Sequence, residues 1–199
     1  MTKEAEWVHE HLNPESLKSP VTLERFGRKN LAKIYNILGY KNGAEIGVAE
    51  GRHSKMICDR VPGVKMLCID PWIRYNGNPR GGPQAQHDRN YDIAKRVLSP
   101  LNVTLYKGMS MDAVREVPME SLDFVFIDGH HGFDWVMQDI IEWSKRVRTG
   151  GIVAGHDYYN FKWAGVIGAV NAYVAAHNIK EWFITLELEP SWFWVRPRN

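Results

Sequence analysis

Cysteine is scarce. Only Cys58 and Cys68 occur in 199 residues, and their spacing matches neither a metal finger nor a disulfide framework, which points to a reducing, cytoplasmic setting. No apolar run approaches the roughly 20 residues that cross a bilayer, and the opening "MTKEAEWVHEHLNPES" is too polar for a secretory signal, so no membrane partner is expected. An excess of one charge is also lacking: 25 Lys+Arg stand against 23 Asp+Glu, which argues against nucleic acid as a partner. The phosphate-cradling pattern G-x-x-x-x-G-K-[ST] does not occur, which excludes that kind of nucleoside triphosphate site. The dinucleotide pattern G-x-G-x-x-G is absent as well, because Ala49 and Arg52 stand where "EIGVAEG" would need its further glycines.

What is present describes one globular domain. A chain of this length buries a sizeable core, and 44% hydrophobic with 24% charged residues is ordinary for one. Eight tryptophans are more unusual, and several sit beside polar residues, as pocket-lining aromatics do. Residues 1–40 read as an N-terminal arm followed by an amphipathic helix over "TLERFGRKNLAKIYNILGY", stopped by Gly39. Residues 41–199 then alternate strands and helices. "GAEIGV", "VKMLCID", "NVTLYKG", "LDFVFID" and "GIVAGHD" read as strands, with "RHSKMICDRV", "HDRNYDIAKRVLSP", "SMDAVREV", "FDWVMQDIIEWSKRVR" and "WAGVIGAVNAYVAAH" as the helices. "EWFITLEL" and "SWFWVRP" form a closing hairpin. The strand runs are continuous in apolar residues, as when helices cover both faces of a sheet. The expected architecture is α/β: a Rossmann-like, doubly wound, seven-stranded, mostly parallel sheet with a C-terminal antiparallel hairpin. Two prolines and three glycines in "WIRYNGNPRGGPQ" suggest a lid loop over about 72–90.

Such a sheet binds ligands at the carboxyl ends of its strands, so each strand end was read for its chemistry. Glu45, Gly47 and Gly51 follow the first strand, where glycine admits close backbone approach and a helix N-terminus favours an anionic group. Asp70 ends the second strand, 19 positions beyond Gly51, where a carboxylate can accept from both hydroxyls of a ribose; Trp72 could cover a base. Met109 and Ser110 close the third and could pack on and hydrogen-bond to that base. Together they suit an adenosine nucleoside with a carboxylate-bearing tail. "FIDGHHGFDW" then places Asp128, His130 and His131 behind the most apolar strand, and "GHD" places His156 and Asp157 behind the fifth.

The order "AEIGVAEGRHS", "CIDPW", "KGMSMDA", "DFVFIDGHHGFDWVMQDI" and "RTGGIVAGHDY" resembles the class I S-adenosylmethionine-dependent methyltransferases over roughly Asn42 to Tyr159. Among them it is similar to the macrocin O-methyltransferase and cephalosporin hydroxylase-like group of small-molecule O-methyltransferases. The resemblance implies S-adenosylmethionine as cofactor, bound by Glu45, Gly47, Gly51, Asp70, Trp72, Met109, Ser110 and Asp128. It implies a divalent metal, Mg²⁺, Mn²⁺ or another, on Asp128 and Asp157. It also implies His131 as general base, working with Asp128. Related metal-dependent sequences often carry an acidic pair where this chain has His156-Asp157, so His156 joins the metal candidates and a softer ion than Mg²⁺ comes into question.

The expected reaction moves a methyl group to a hydroxyl of a small molecule, a sugar or natural product. The arm and exposed aromatics are consistent with a homodimer. Two other readings stay open: a non-catalytic module binding adenosylmethionine or metal, and an NAD-dependent oxidoreductase, which the missing glycines oppose. For Asp128 and Asp157 the blander role is capping the next helix; for His131 it is a satisfied structural histidine; for His130 and His156 it is pocket lining. Arg74, Arg80 and His87 could touch the acceptor from the lid, although a solvated loop is the simpler reading.

Overall fold

A computed structural model describes residues 1–74, 82–160 and 164–198. It is a three-layer α/β domain. The elements run α1 (Lys3–Leu12), β1 (Val21–Leu23), α2 (Arg28–Ile37), β2 (Asn42–Ile46), α3 (Arg52–Arg60), β3 (Lys65–Asp70), α4 (Gln84–Leu98) and β4 (Val103–Lys107). They continue with α5 (Ser110–Glu116), β5 (Leu122–Ile127), α6 (Phe133–Arg146), β6 (Val147–Gly155), α7 (Val166–Ala176), β7 (Phe183–Thr185) and β8 (Trp192–Val195). The strands form one sheet in the order β1-β7-β8-β6-β5-β2-β3-β4. Strand β8 runs antiparallel to β6 and β7, and the other pairs are parallel.

The doubly wound architecture and its terminal antiparallel pair are as expected, and the sheet carries one strand more. Thr22 and Leu23, expected to open the amphipathic helix that precedes the first strand, instead belong with Val21 to an edge strand parallel to β7. Its alternating burial suits a strand, and Gly27 delays the helix to Arg28 by taking an extended N-cap conformation. The lid assignment also shifts. Helix α4 starts at Gln84, behind Pro83, so the last third of 72–90 is helical, while residues 75–81, Arg80 among them, lie outside the described residues. Strand β6 starts at Val147, earlier than the "GIVAGHD" run, and carries an irregularity in its pairing with β5, with Gly150 at φ 80° forming a kink within the strand.

Apolar side chains pack on both faces of the sheet. On one face Leu31, Ile34 and Tyr35 of α2 and Ile57 of α3 meet Phe124, Phe126 and Ile152; Tyr35 stacks on Phe124 with ring centroids 4.0 Å apart. On the other, Ile140 and Trp143 of α6 and Ala169 and Val170 of α7 meet Val125, Ile127 and Val153. The N-terminal arm is tied in: Val8 is buried, and Glu4 pairs with Arg148 at 3.1 Å.

The chain winds outward from β2 through β3 to β4, then returns to β5 on the other side of β2. That reversal opens a crevice at the carboxyl ends of β2 and β5. The two ends touch at Gly47. With φ at 87° and a β-carbon position only 1.9 Å from the Asp128 carbonyl oxygen, this position has room for nothing but glycine.

Candidate active site

A cavity of about 1350 Å³ occupies the crevice. Its walls join the ends of β2, β3, β4 and β5 to Arg25, Arg28 and Lys29 at the start of α2 and to Leu186 and Glu187 beyond β7.

At the β2–β4 end the polar groups are already bonded. Asp70 accepts from Val48 N and Ala49 N on one oxygen, each at 3.0 Å, and from Trp72 N on the other at 2.7 Å. A carboxylate has about four lone-pair sites, so a place on Oδ1 remains for a ribose hydroxyl. Glu45 is buried and held by His53 at 3.0 Å and by the Ser54 hydroxyl. Trp72 lines the cavity but is only 1% exposed; its indole donates to Ala49 O at 2.8 Å and packs on Tyr91, so it braces the glycine loop from behind. Met109 is partly exposed at the N-cap of α5, and the Ser110 hydroxyl is engaged with Asp139 and Trp143.

The β5–β6 end is different. The ligand atoms of Asp128, His131 and Asp157 lie within 4.8 Å of one another. His131 Nε2 contacts Asp157 Oδ2 and lies 3.8 Å from Asp128 Oδ1. His156 Nδ1 is 3.3 Å from Asp157 Oδ1 and 3.7 Å from Asp128 Oδ1. Burial alone would push both imidazoles toward neutrality, yet the flanking carboxylates outweigh it and hold both above the usual histidine range. Burial likewise works against charge on Asp128 and Asp157, and the imidazoles overcome it, leaving both carboxyls below the usual range.

A family model described as a methyltransferase domain matches residues 44–158. The chain belongs to that family. Solved structures agree on the fold. The O-methyltransferase from Bacillus cereus, crystallised with S-adenosylhomocysteine, superposes with a TM-score of 0.63 at 15% identity, covering 98% of this chain and 92% of that one. TomG, the O-methyltransferase of tomaymycin synthesis from Streptomyces achromogenes, crystallised with S-adenosylmethionine, gives 0.62 at 13% identity over 98% of this chain and 91% of its own. The uncharacterised protein R132 of Acanthamoeba polyphaga mimivirus is 26% identical over 145 residues, which span 66% of this chain and 58% of the viral protein.

Within this methyltransferase domain the fold gathers the four residues expected to handle metal or proton: Asp128, His131, His156 and Asp157. Two observations suit a divalent cation there. His156 is 5% exposed and turns Nδ1 to both carboxylates, at 3.3 and 3.7 Å, the side from which a ring nitrogen could join them on an ion. Asp157 takes a φ of 58°, a strained conformation that recurs in this domain at Ala49 and Trp72, also just past strand ends. Mixed imidazole and carboxylate donors suit Mn²⁺, Fe²⁺ or Zn²⁺ better than an all-oxygen ion. His130 turns outward from the cluster: its Nδ1 accepts from Gly132 N at 2.9 Å and its ring lies against Trp135, so it caps the turn into α6.

Sequence reasoning passed over His53, Ser54 and Asp139. The first two hold Glu45, and their signal is the N-terminal turn of a helix that follows a buried acid. Asp139 had a clearer one, an acid in the buried stripe of α6 with Val136, Ile140 and Trp143.

Proposed function

We propose that the protein is an S-adenosylmethionine-dependent O-methyltransferase that methylates a hydroxyl of a small molecule, with His131 as the base and a divalent ion assisting. The observation that carries this reading is the cluster of Asp128, His131, His156 and Asp157 at the β5–β6 end of the cavity whose β2–β4 end suits an adenosyl group. Adenosylmethionine supplies a methyl group already activated on a sulfonium, so the chain's task is positioning and proton removal. Glu45 and the glycine loop orient the aminoacid tail, and Asp70 takes the ribose. In its neutral form, which the flanking carboxylates confine to the alkaline side of about 9, His131 donates from Nε2 to Asp157 and accepts the hydroxyl proton on its other ring nitrogen, and the Asp157 carboxylate stabilises the imidazolium that results. A bound divalent ion would be held by Asp128, Asp157 and His156 and would lower the pKa of the acceptor hydroxyl.

Arg25, Arg28 and Lys29 bring positive charge to the rim, which favours acceptors that carry a carboxylate or phosphate beside the reacting hydroxyl. The test is transfer of an isotopically labelled methyl group to a panel of hydroxylated sugars and natural products, with and without chelator. Labelled ether product lost on chelation supports the whole reading; tight cofactor binding with no turnover on any acceptor would favour the non-catalytic module instead.

A further inference from the structure

Asp139 is a buried carboxyl that none of these steps uses. It sits in the inward stripe of α6, where an apolar residue would ordinarily stand, and at 6% exposure it is costly unless its oxygens find donors. One of them does. Trp143, one turn further on, donates its indole N–H to Ser110 Oγ at 2.7 Å. Indole has no acceptor, so Ser110 must spend its own proton elsewhere, and it gives it to Asp139 Oδ1 at 2.5 Å. The chain from Trp143 through Ser110 to Asp139 thus has a fixed polarity.

The other oxygen, Oδ2, has no donor among the described residues. It lies 3.8 Å from where a β-carbon on Gly129 would stand, and Asp139 and Gly129 both line the cavity with Met109 and Met111. A lone acceptor is therefore presented to a slot walled by thioether side chains, which pack well on aromatic faces. Burial also pushes this carboxyl up to about 7, so it is ionised on the alkaline side of neutrality and a ready partner for an N–H.

We propose that Asp139 selects the purine: its Oδ2 accepts a hydrogen bond from the exocyclic amine of adenine and rejects bases that carry a carbonyl oxygen there. The proposal rests on the adenosyl reading above and adds the residue that makes it adenosyl. Hypoxanthine would set one acceptor against another, a mismatch that polar sites discriminate strongly.

The test compares S-adenosylhomocysteine with S-inosylhomocysteine, in which the amine is replaced by oxygen, by calorimetry at pH 8. The wild-type protein is expected to favour the adenosyl compound by roughly 10–100-fold, the range for a hydrogen bond to a charged group. In Asp139→Asn, Ser110 still donates to the side-chain oxygen, so the amide nitrogen must turn to the cavity and present a donor. The preference should then fall to one or invert, with the inosyl compound gaining affinity. Asp139→Ser, which lacks Oδ2, serves if the Asn variant does not fold, and its ratio should approach one. Equal wild-type affinities, or variants that weaken both compounds by the same factor, would overturn the assignment of Asp139 alone. A wild-type protein that binds neither compound would instead remove the adenosyl reading and this proposal with it.

Discussion

The two ends of the cavity treat their acids in opposite ways. At the β2–β4 end, Asp70 is bonded to three backbone N–H groups and Glu45 to His53 and Ser54, so the carboxylates are locked before any ligand arrives. At the β5–β6 end, among the described residues, the Asp128 and Asp157 side chains face imidazoles, the buried His156 has no hydrogen-bond partner for Nε2, and the backbone at Asp157 is strained. The first arrangement is preorganised to bind, where rigidity reduces the entropy lost on association. The second stores charge and strain that a reacting hydroxyl or a cation can relieve.

Substitutions at the two ends should separate accordingly. His131→Gln should lower kcat by about 10²–10⁴-fold with S-adenosylhomocysteine affinity unchanged. If Mn²⁺ affinity, read by titration, falls as well, His131 is a ligand and the ends differ in another way from the one drawn here. Asp70→Ala should do the reverse and more, stripping three N–H groups of their acceptor; we expect a loss of roughly 2–4 kcal/mol in stability by denaturant titration and weaker nucleoside binding.

The acids that end strands were legible because each closes a continuous apolar run: Asp70 after β3, Asp128 after β5, Asp157 just past β6. Their partners were less so. That Asp70 would bond the glycine loop depends on the adjacency of β2 and β3, and that His156 would meet Asp128 depends on β5 pairing with β6. Strand β1 was read as helix because three residues carry little periodicity, and their conformation is set by pairing with β7, some 160 positions later. The bracing contact of Trp72 was hidden for a related reason: that its indole would bond Ala49 O depends on the glycine loop folding back beside β3, which no local pattern announces.

Asp139 belongs to neither pattern, half bonded and half open, and its stability signature sharpens the contrast. Its carboxyl lies at about 7 in the folded chain against an ordinary value of 3.8, so the folded state binds the proton more tightly than the unfolded one. Stability is therefore full below about pH 4 and declines as pH rises through about 7, by of order 1 kcal/mol per unit. Asp139→Asn should abolish that slope, matching wild type at pH 4 and exceeding it at pH 8 in thermal unfolding. The smallest effect is expected from His130→Ala, which removes a cap from Gly132 N and should cost about 1 kcal/mol with turnover nearly unchanged; a large kcat loss would bring His130 into the reactive end.

The division between a binding end and a reacting end is tested most directly by calorimetry with S-adenosylhomocysteine on the wild-type protein, Asp70→Ala and Asp128→Asn. The account predicts binding by wild type and Asp128→Asn at similar affinity and a marked loss in Asp70→Ala. Failure of the wild-type protein to bind the nucleoside, or equal losses in both variants, would contradict it.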